Sequence, residues 1–429
     1  MRKILLSLIL LSAVMSVKAQ NFDKYFADRT LRIDYIFSGN AKEQHISVDE
    51  LSTSPRWYGK KHRLTELPME GNGQIIVREH KSQKVIYRNS FSTLFQEWLT
   101  YPEAEKNTQA FENVFLVPMP KDTVDVTLDL YNNRREITST LTHQVVPTDI
   151  LIRKIGESYV TPHTTMLAPA DSNKCIRLAY VAEGYKKEEM PKFLEDVKRC
   201  MGYLFEYEPF KSMKDRFMIT AVESPSFDSE TSIPHEGIWK NTALQSNFDT
   251  FYSNRYLTTL HLKKLHDVLA GIPYEHIIIL VNTEKYGGGG ILNSYLLSPA
   301  DNKYTPQVVV HEFGHSFGGL GDEYAYDFEP IPAYPHDVEP WEANLTTLVN
   351  FHGKWEDMLD ANTKVPTEVT TKSKKKVGVF EGAGYSLKGV YRPSYDCRMR
   401  TNENPVFCPV CSRALRRIID FYTSFNLSK

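Results

Sequence analysis

Hydrophobic and polar residues tend to alternate over the first part of the chain, from residue 31 to about residue 153. The alternation is clearest over residues 124–130, and short apolar runs at 75–77 and 85–87 are separated by polar gaps. A period of two is that of a strand with one buried face. The pattern predicts an all-β sandwich domain over residues 20–165. It contains no visible cluster of chemistry-bearing residues, and we interpret it as an accessory module for binding or shielding.

The pattern changes near residue 165 to strands that alternate with helices. Apolar runs of strand length occur at 176–181, Phe217–Val222 and His276–Val281. Apolar residues at helical spacing lie between them, over 190–205 and again over 257–269. Strands that alternate with helices are typical of an α/β (α+β) fold with a largely parallel sheet. We therefore predict a second, larger domain over residues 166–429.

The first residues have the pattern of a cleavable export signal. Arg2 and Lys3 precede an apolar run over residues 4–15, and small residues occupy the two positions that a signal peptidase reads before Gln20. A run of about a dozen residues is too short to cross roughly 30 Å of hydrocarbon as a helix. We predict a signal peptide over residues 1–19 and a periplasmic or secreted protein with no transmembrane segment in the mature chain.

Composition narrows the class of partner. The chain has 429 residues, 51 Lys and Arg against 53 Asp and Glu, a formal net charge of -2 and 41% hydrophobic residues. This is an ordinary globular composition, which argues against the disordered, collagen-like and polytopic membrane classes. Nucleic acids and anionic membranes both favour proteins with a basic excess. We therefore expect no nucleic-acid partner.

The segment that carries chemistry is residues 308–324, V-V-V-H-E-F-G-H-S-F-G-G-L-G-D-E-Y. Residues i and i+4 share one face of a helix, so His311 and His315 can bind a single metal ion, and two imidazoles suit zinc. Glu312 is rotated off that face, where its carboxylate can act as a base toward water. The pair Gly318 and Gly319 allows the helix to end sharply. The spacing predicts a zinc site with Glu312 as the catalytic residue.

Three stretches together resemble a known family. Residues 311–324, Cys397-Arg398-Met399-Arg400 and Phe407-Cys408-Pro409-Val410-Cys411 resemble the bacterial IgA-metallopeptidase family, and more broadly the metzincin clan of zinc endopeptidases. The resemblance implies a metzincin-like zinc peptidase domain that hydrolyses protein or peptide substrates. It also gives Met399 the role of the Met-turn, an apolar floor beneath the metal. No tyrosine closely follows Met399, so we name no tyrosine that swings toward the metal.

The third metal ligand is the point at which the chain departs from the common pattern. In H-E-x-x-H-x-x-G-x-x-H the third ligand would fall at Gly321, which cannot coordinate. A turn glycine at Gly319 restores a G-x-x-D spacing to Asp322. We therefore predict zinc ligands His311, His315 and Asp322. Glu323 stays the alternative third ligand, because it is adjacent and equally able to bind zinc.

The bonding state of the five cysteines depends on whether the compartment is oxidising or reducing. In an oxidising compartment Cys397, Cys408 and Cys411 favour one disulfide that involves Cys397, with its partner open. In a reducing compartment the same three residues resemble part of a second zinc site, for which the sequence offers no evident fourth ligand. Cys175 and Cys200 form another bridge or stay buried as thiols.

A glycine run at residues 287–290 lacks the G-K-[ST] ending of a phosphate loop. We interpret it as the approach to an edge strand that pairs with extended substrate, or as a plain surface loop.

Two functions follow from these patterns. The favoured one is an exported zinc-dependent endopeptidase. The alternative is a secreted binding protein for a glycan or protein surface, with a structural or vestigial zinc site. Glu312 favours the enzyme, because a site that only holds metal has no need of a base beside it.

Overall fold

The computed structural model describes residues 22–326 and 334–424. The predicted signal peptide over residues 1–19 lies outside the described residues. Within these two ranges, the helices are all too short or too polar to cross a membrane.

Two four-stranded sheets face each other in the N-terminal part. Their strands are β1 (Phe26–Gly39), β2 (Gln44–Pro55), β3 (Gly73–Glu79), β4 (Val85–Phe91), β5 (Gln109–Pro120), β6 (Val124–Tyr131), β7 (Ile137–Val145) and β8 (Arg153–Lys154). One sheet has the order β5-β1-β2-β8 and the other the order β4-β3-β6-β7. Rings from the two sheets meet in a shared core, with the centroids of Phe91 and Phe115 4.3 Å apart. The strands predicted from the alternating pattern are confirmed. Two short helices accompany them, α1 (Phe22–Tyr25) and α2 (Leu94–Trp98).

A six-stranded mixed sheet forms the centre of the remainder. Its strands are β9 (His163–Leu167), β10 (Ile176–Glu183), β11 (Phe217–Val222), β12 (His276–Val281), β13 (Gly289–Ile291) and β14 (Tyr295–Pro299). The order is β13-β14-β12-β10-β11-β9. The four central strands are parallel, and the edge strands β13 and β9 are antiparallel to their neighbours. The predicted α/β pattern with a largely parallel sheet is confirmed.

The helices and a hairpin complete the fold. They are α3 (Met190–Leu204), α4 (Leu262–Val268), α5 (Thr305–Ser316), β15 (Phe380–Ala383), β16 (Ser386–Arg392) and α6 (Pro409–Thr423). The helix predicted over 257–269 is too long, because α4 begins only at Leu262. Leu257 instead donates its amide to Gly288 in an extended segment, and its buried side chain matched the helical spacing without being helical.

The six-stranded sheet is buried on both faces. Along β10, Ala179 and Val181 join the core shared with the N-terminal sheets, whereas Leu178 and Tyr180 join a second core beneath the helices. This alternation is that of a strand with two buried faces. The second core anchors α5 and so fixes the direction in which its polar face points.

Candidate metal centre

Helix α5 presents its polar face to a deep cavity. Val309, Val310 and Phe313 are buried in the helix-side core. Three apolar contacts on one side of a helix leave the opposite side free to carry polar groups. His311, Glu312 and His315 lie on that side and line a cavity of about 1010 Å³.

Three potential ligand atoms converge beside this helix. The Nε2 atoms of His311 and His315 are 3.0 Å apart. Asp322 Oδ1 lies 3.1 Å from the first of these nitrogens and 3.2 Å from the second. Zinc bonds of about 2.0–2.1 Å place two tetrahedral ligands about 3.3 Å apart. The three separations therefore match a single zinc ion bound by all three side chains.

The tautomer of both imidazoles is fixed by backbone carbonyls. His311 Nδ1 lies 3.1 Å from the Arg398 carbonyl oxygen, and His315 Nδ1 lies 2.6 Å from that of Leu320. A carbonyl can only accept, so each Nδ1 carries the hydrogen. In its neutral form each ring then directs the lone pair of Nε2 toward Asp322, which is the arrangement that a metal-binding histidine requires.

Asp322 makes the point between the three ligand atoms strongly favourable for positive charge. Within the described part of the chain, its buried Oδ1 atom receives no hydrogen bond. Burial acts against ionisation, yet the neighbouring His315 and His311 hold the pKa of Asp322 well below its usual range. Burial likewise opposes a charged His315, but Asp322 raises the pKa of His315 to about 9. A divalent cation bound among these atoms would compensate the negative charge of Asp322. It would also remove the repulsion between the Nε2 and Oδ1 lone pairs that face one another.

Glu312 lies beside the three ligand atoms rather than among them. Burial raises the pKa of its carboxyl group. A Cβ at Gly288 would lie 2.8 Å from Glu312 Oε1, and one at Gly290 would lie 2.6 Å from the Glu312 carbonyl oxygen. The glycine run therefore permits α5 to pack against β13. The predicted approach to an edge strand is confirmed, since β13 is the outer strand of the six-stranded sheet.

The turn after α5 separates the two acidic residues. Gly319 has a left-handed φ of 55° and donates its amide to His315, which reverses the chain. The structure then brings Asp322 to the histidines. Glu323 points away and is fully buried, with Oε1 3.1 Å from Cys411 Sγ. Of the two alternatives for a third ligand, Asp322 is the one placed at this cluster.

The methionine and the cysteines lie below the helix. Met399 is fully buried, and a Cβ at Gly314 of α5 would lie 2.5 Å from its Sδ atom. All five cysteines are free thiols, so the structure differs from the predicted disulfide at Cys397. Cys397 Sγ and Cys411 Sγ are 3.8 Å apart, well beyond a covalent bond of about 2.05 Å. Cys408 and Glu323 lie at the same place, with one ligand atom from each of these four residues within 4.8 Å of the others.

Two residues at the cavity carry no signal in the sequence. Tyr385, in the turn between β15 and β16, donates its hydroxyl to Asp322 Oδ2. Glu97, on α2 of the N-terminal part, accepts a 2.6 Å hydrogen bond from Tyr256, and burial raises its pKa to about 7. Each stands alone in its own stretch of sequence. Only tertiary packing brings them to the cleft, and Tyr385 lies before Met399 in the chain rather than shortly after it.

A mixed α/β fold with two histidines, an aspartate and an adjacent buried glutamate in one cleft defines the class of metal-dependent peptidases. Comparison with protein families agrees. Residues 165–374 and 369–419 match IgA Peptidase M64, and residues 21–142 match Peptidase M64 N-terminus. The chain belongs to the IgA peptidase M64 family and is a metallopeptidase, with protein or peptide as its substrate. A search of curated proteins found no match.

Proposed function

We propose that this M64 peptidase is an exported, zinc-dependent endopeptidase. His311, His315 and Asp322 hold the metal, and Glu312 is the general base. The observation that carries the proposal is the convergence of three lone-pair atoms, 3.0 to 3.2 Å apart, directly beside a carboxylate. When bound, zinc supplies Lewis acidity toward a peptide carbonyl and toward water.

Proton transfer during hydrolysis is carried out by a residue of the chain itself. Glu312 removes a proton from the attacking water and delivers it to the departing amine. A general base that must also act as an acid works best with a pKa near the working pH. Burial of Glu312 moves its pKa in that direction. The alternative binding protein has no use for a buried carboxylate held in this way.

The cleft suits an extended peptide. Edge strand β13 borders the cavity on one side, and Thr93, Glu97 and Tyr101 of the N-terminal part line it elsewhere. An edge strand can pair with extended substrate through main-chain hydrogen bonds. Substrate lying along β13 would bring its peptide bonds past Glu312. This geometry supports cleavage within a chain rather than only at its ends.

Export is proposed on the leader pattern of residues 1–19. Expression in a host with a periplasm, followed by N-terminal sequencing, tests it. A mature chain that begins at Gln20 supports export, and a cytoplasmic chain that retains the leader contradicts it.

Replacement of Glu312 by Gln tests the catalytic proposal. The variant should retain zinc and lose activity by about 10²- to 10⁴-fold, because only proton transfer is removed. Glu195→Gln, an exposed acid on α3, is the matched control and should match the wild type. The substrates are casein and, because of the family's name, immunoglobulin A. Zinc bound by all three proteins without proteolysis by any of them would favour the binding protein instead.

A further inference from the structure

A second group of metal-ligating side chains lies beneath the first. The cysteine–glutamate cluster consists of Glu323, Cys397, Cys408 and Cys411, and all four residues are buried. One ligand atom from each lies within 4.8 Å of the others. The cluster is formed by the turn after α5, the segment before Met399 and the start of α6. It is therefore assembled from three separate parts of the chain.

The spacing of the sulfurs matches a shared ion. Cys397 Sγ and Cys411 Sγ are 3.8 Å apart. Two thiolates on a tetrahedral zinc ion, each at about 2.3 Å, are also separated by about 3.8 Å. The Glu323 carboxylate is also close to the sulfurs, with its Oε1 atom 3.1 Å from Cys411 Sγ. Three sulfurs and one oxygen then complete four-fold coordination.

Burial raises the pKa of the Cys397 and Cys411 thiols, but two backbone amides lie where they can stabilise negative sulfur in the cluster. Cys408 caps the N-terminus of α6, and its Sγ atom accepts from the Cys411 amide at 3.5 Å. Cys397 Sγ accepts from the Cys408 amide at 3.2 Å. Amide donors and the positive end of a helix both favour thiolate over thiol. The thiolate is the form that binds metal.

Glu323 supplies an independent sign of a missing partner. Its Oε1 atom accepts from Asn344 at 3.0 Å, but its buried Oε2 atom has no hydrogen-bond partner in the ranges 22–326 and 334–424. A fully buried carboxylate with an unpaired oxygen is costly unless a proton or a cation compensates it. The cysteines beside it point to a cation.

We propose that Glu323, Cys397, Cys408 and Cys411 bind a second, structural zinc ion. Four protein ligands leave no open position, which distinguishes a structural site from a catalytic one. Thiolates select zinc over magnesium or calcium. A disulfide between any two of the cysteines would leave the third sulfur and the Oε2 atom of Glu323 without a partner in the described residues, whereas one ion accounts for all four residues together.

This second ion would position the first site. Glu323 follows Asp322 directly and donates its amide to the Met399 carbonyl at 2.8 Å. The neighbouring Arg398 carbonyl receives the hydrogen of His311 Nδ1. The structural ion therefore fixes both the segment that carries Asp322 and the segment that orients His311. We expect its loss to weaken metal binding at the first site as well.

The test uses the full chain and a probe that sees only sulfur ligands. The wild type should hold two zinc ions per chain by elemental analysis, one for each cluster. After replacement of zinc by cobalt, sulfur-to-cobalt charge-transfer absorption should appear in the near ultraviolet. The histidine cluster has no sulfur ligand, so this absorption reports the cysteine–glutamate cluster alone. It should persist in a His311→Ala/His315→Ala variant, and its outcome is independent of peptidase activity.

Variants of the cluster give the converse result. Cys408→Ala/Cys411→Ala should lose the charge-transfer absorption, and Glu323→Gln should shift or weaken it. Cys200→Ala, a buried cysteine outside the cluster, is the control and should leave it unchanged. If the double variant does not fold, the wild-type cobalt spectrum decides alone. Absence of sulfur-to-cobalt absorption in the wild type, or a disulfide between two of the three cysteines in the native chain, overturns the proposal.

Discussion

Substitution of Gly314 by Ala tests how tightly α5 is seated on Met399. Gly314 lies in the helix between the two histidines, where alanine would ordinarily stabilise by about 0.5–1 kcal/mol. Here the added Cβ would lie 2.5 Å from Met399 Sδ and 3.2 Å from Met399 Cε. Met399 is fully buried, so its side chain has little room to move aside.

The magnitude follows from these two opposing effects. Extra volume in a packed core costs about 1–3 kcal/mol. After subtraction of the helix-propensity gain, Gly314→Ala should lower the free energy of unfolding by about 1–2 kcal/mol. Displacement of Met399 also moves the Arg398 carbonyl that orients His311, so zinc binding should weaken in the same variant.

Gly202→Ala in α3 is the matched control. Apart from its chain neighbours and the backbone of its own helix, no heavy atom of the described residues lies within 4 Å of a Cβ built at Gly202, so only the helix-propensity gain applies. The difference between the two variants then isolates the cost of overpacking. Urea unfolding in the presence of chelator measures the free energies, and a zinc titration of each folded variant measures metal binding.

A double-mutant cycle identifies the partner. Met399→Ala alone should cost about 2–5 kcal/mol, because it leaves a cavity below α5. Combined with Gly314→Ala, the cost should be less than the sum of the two, since the new methyl group occupies part of that cavity. Equal effects of Gly314→Ala and Gly202→Ala on unfolding and on zinc binding would refute the reasoning.

Two further predictions concern the first metal site and the core. Tyr385→Phe removes the hydroxyl that holds Asp322, so zinc affinity in a chelator competition should fall by about 10- to 100-fold, whereas Tyr391→Phe on the same hairpin should not change it. Burial lowers the pKa of Lys60 to about 7, so above pH 7 the unfolded chain binds a proton that the folded chain does not. The free energy of unfolding should therefore rise by a few kcal/mol between about pH 7 and pH 10.5, and Lys60→Met should flatten the rise while Lys61→Met should not. An unchanged slope in Lys60→Met would contradict the assignment.

The sequence predicts those parts of the first site that lie close together along the chain. His311, Glu312 and His315 share one helix, so helical periodicity alone places both imidazoles on one side. The destination of Asp322 and Glu323 is not local. They are adjacent and chemically alike, yet Asp322 lies with the histidines and Glu323 lies among cysteines that are far along the chain.

The cysteines also show that local spacing in the sequence is not enough to predict a site. Spacing within the C-terminal segment is compatible with either a disulfide or part of a metal site. What distinguishes the two is the fourth partner, Glu323, which the turn after α5 delivers. The oxidising compartment that the leader pattern predicts favours a disulfide. The geometry of four converging ligands favours coordination, because an ion can satisfy an odd number of thiols together with a carboxylate.

The N-terminal sheets illustrate how a functional surface can be invisible in a sequence. Glu97 and Tyr101 lie in a stretch with no chemical motif, yet they line the same cavity as His311. Trp341 donates a 2.6 Å hydrogen bond to Asn72 and ties this part to the segment that follows the metal site. The N-terminal part therefore forms a wall of the cleft as well as covering one face of the central sheet. The metal centre acts in the same way on any peptide bond. Selection among substrates must therefore come from the residues that line the walls of the cleft. Residues of both parts are expected to determine it.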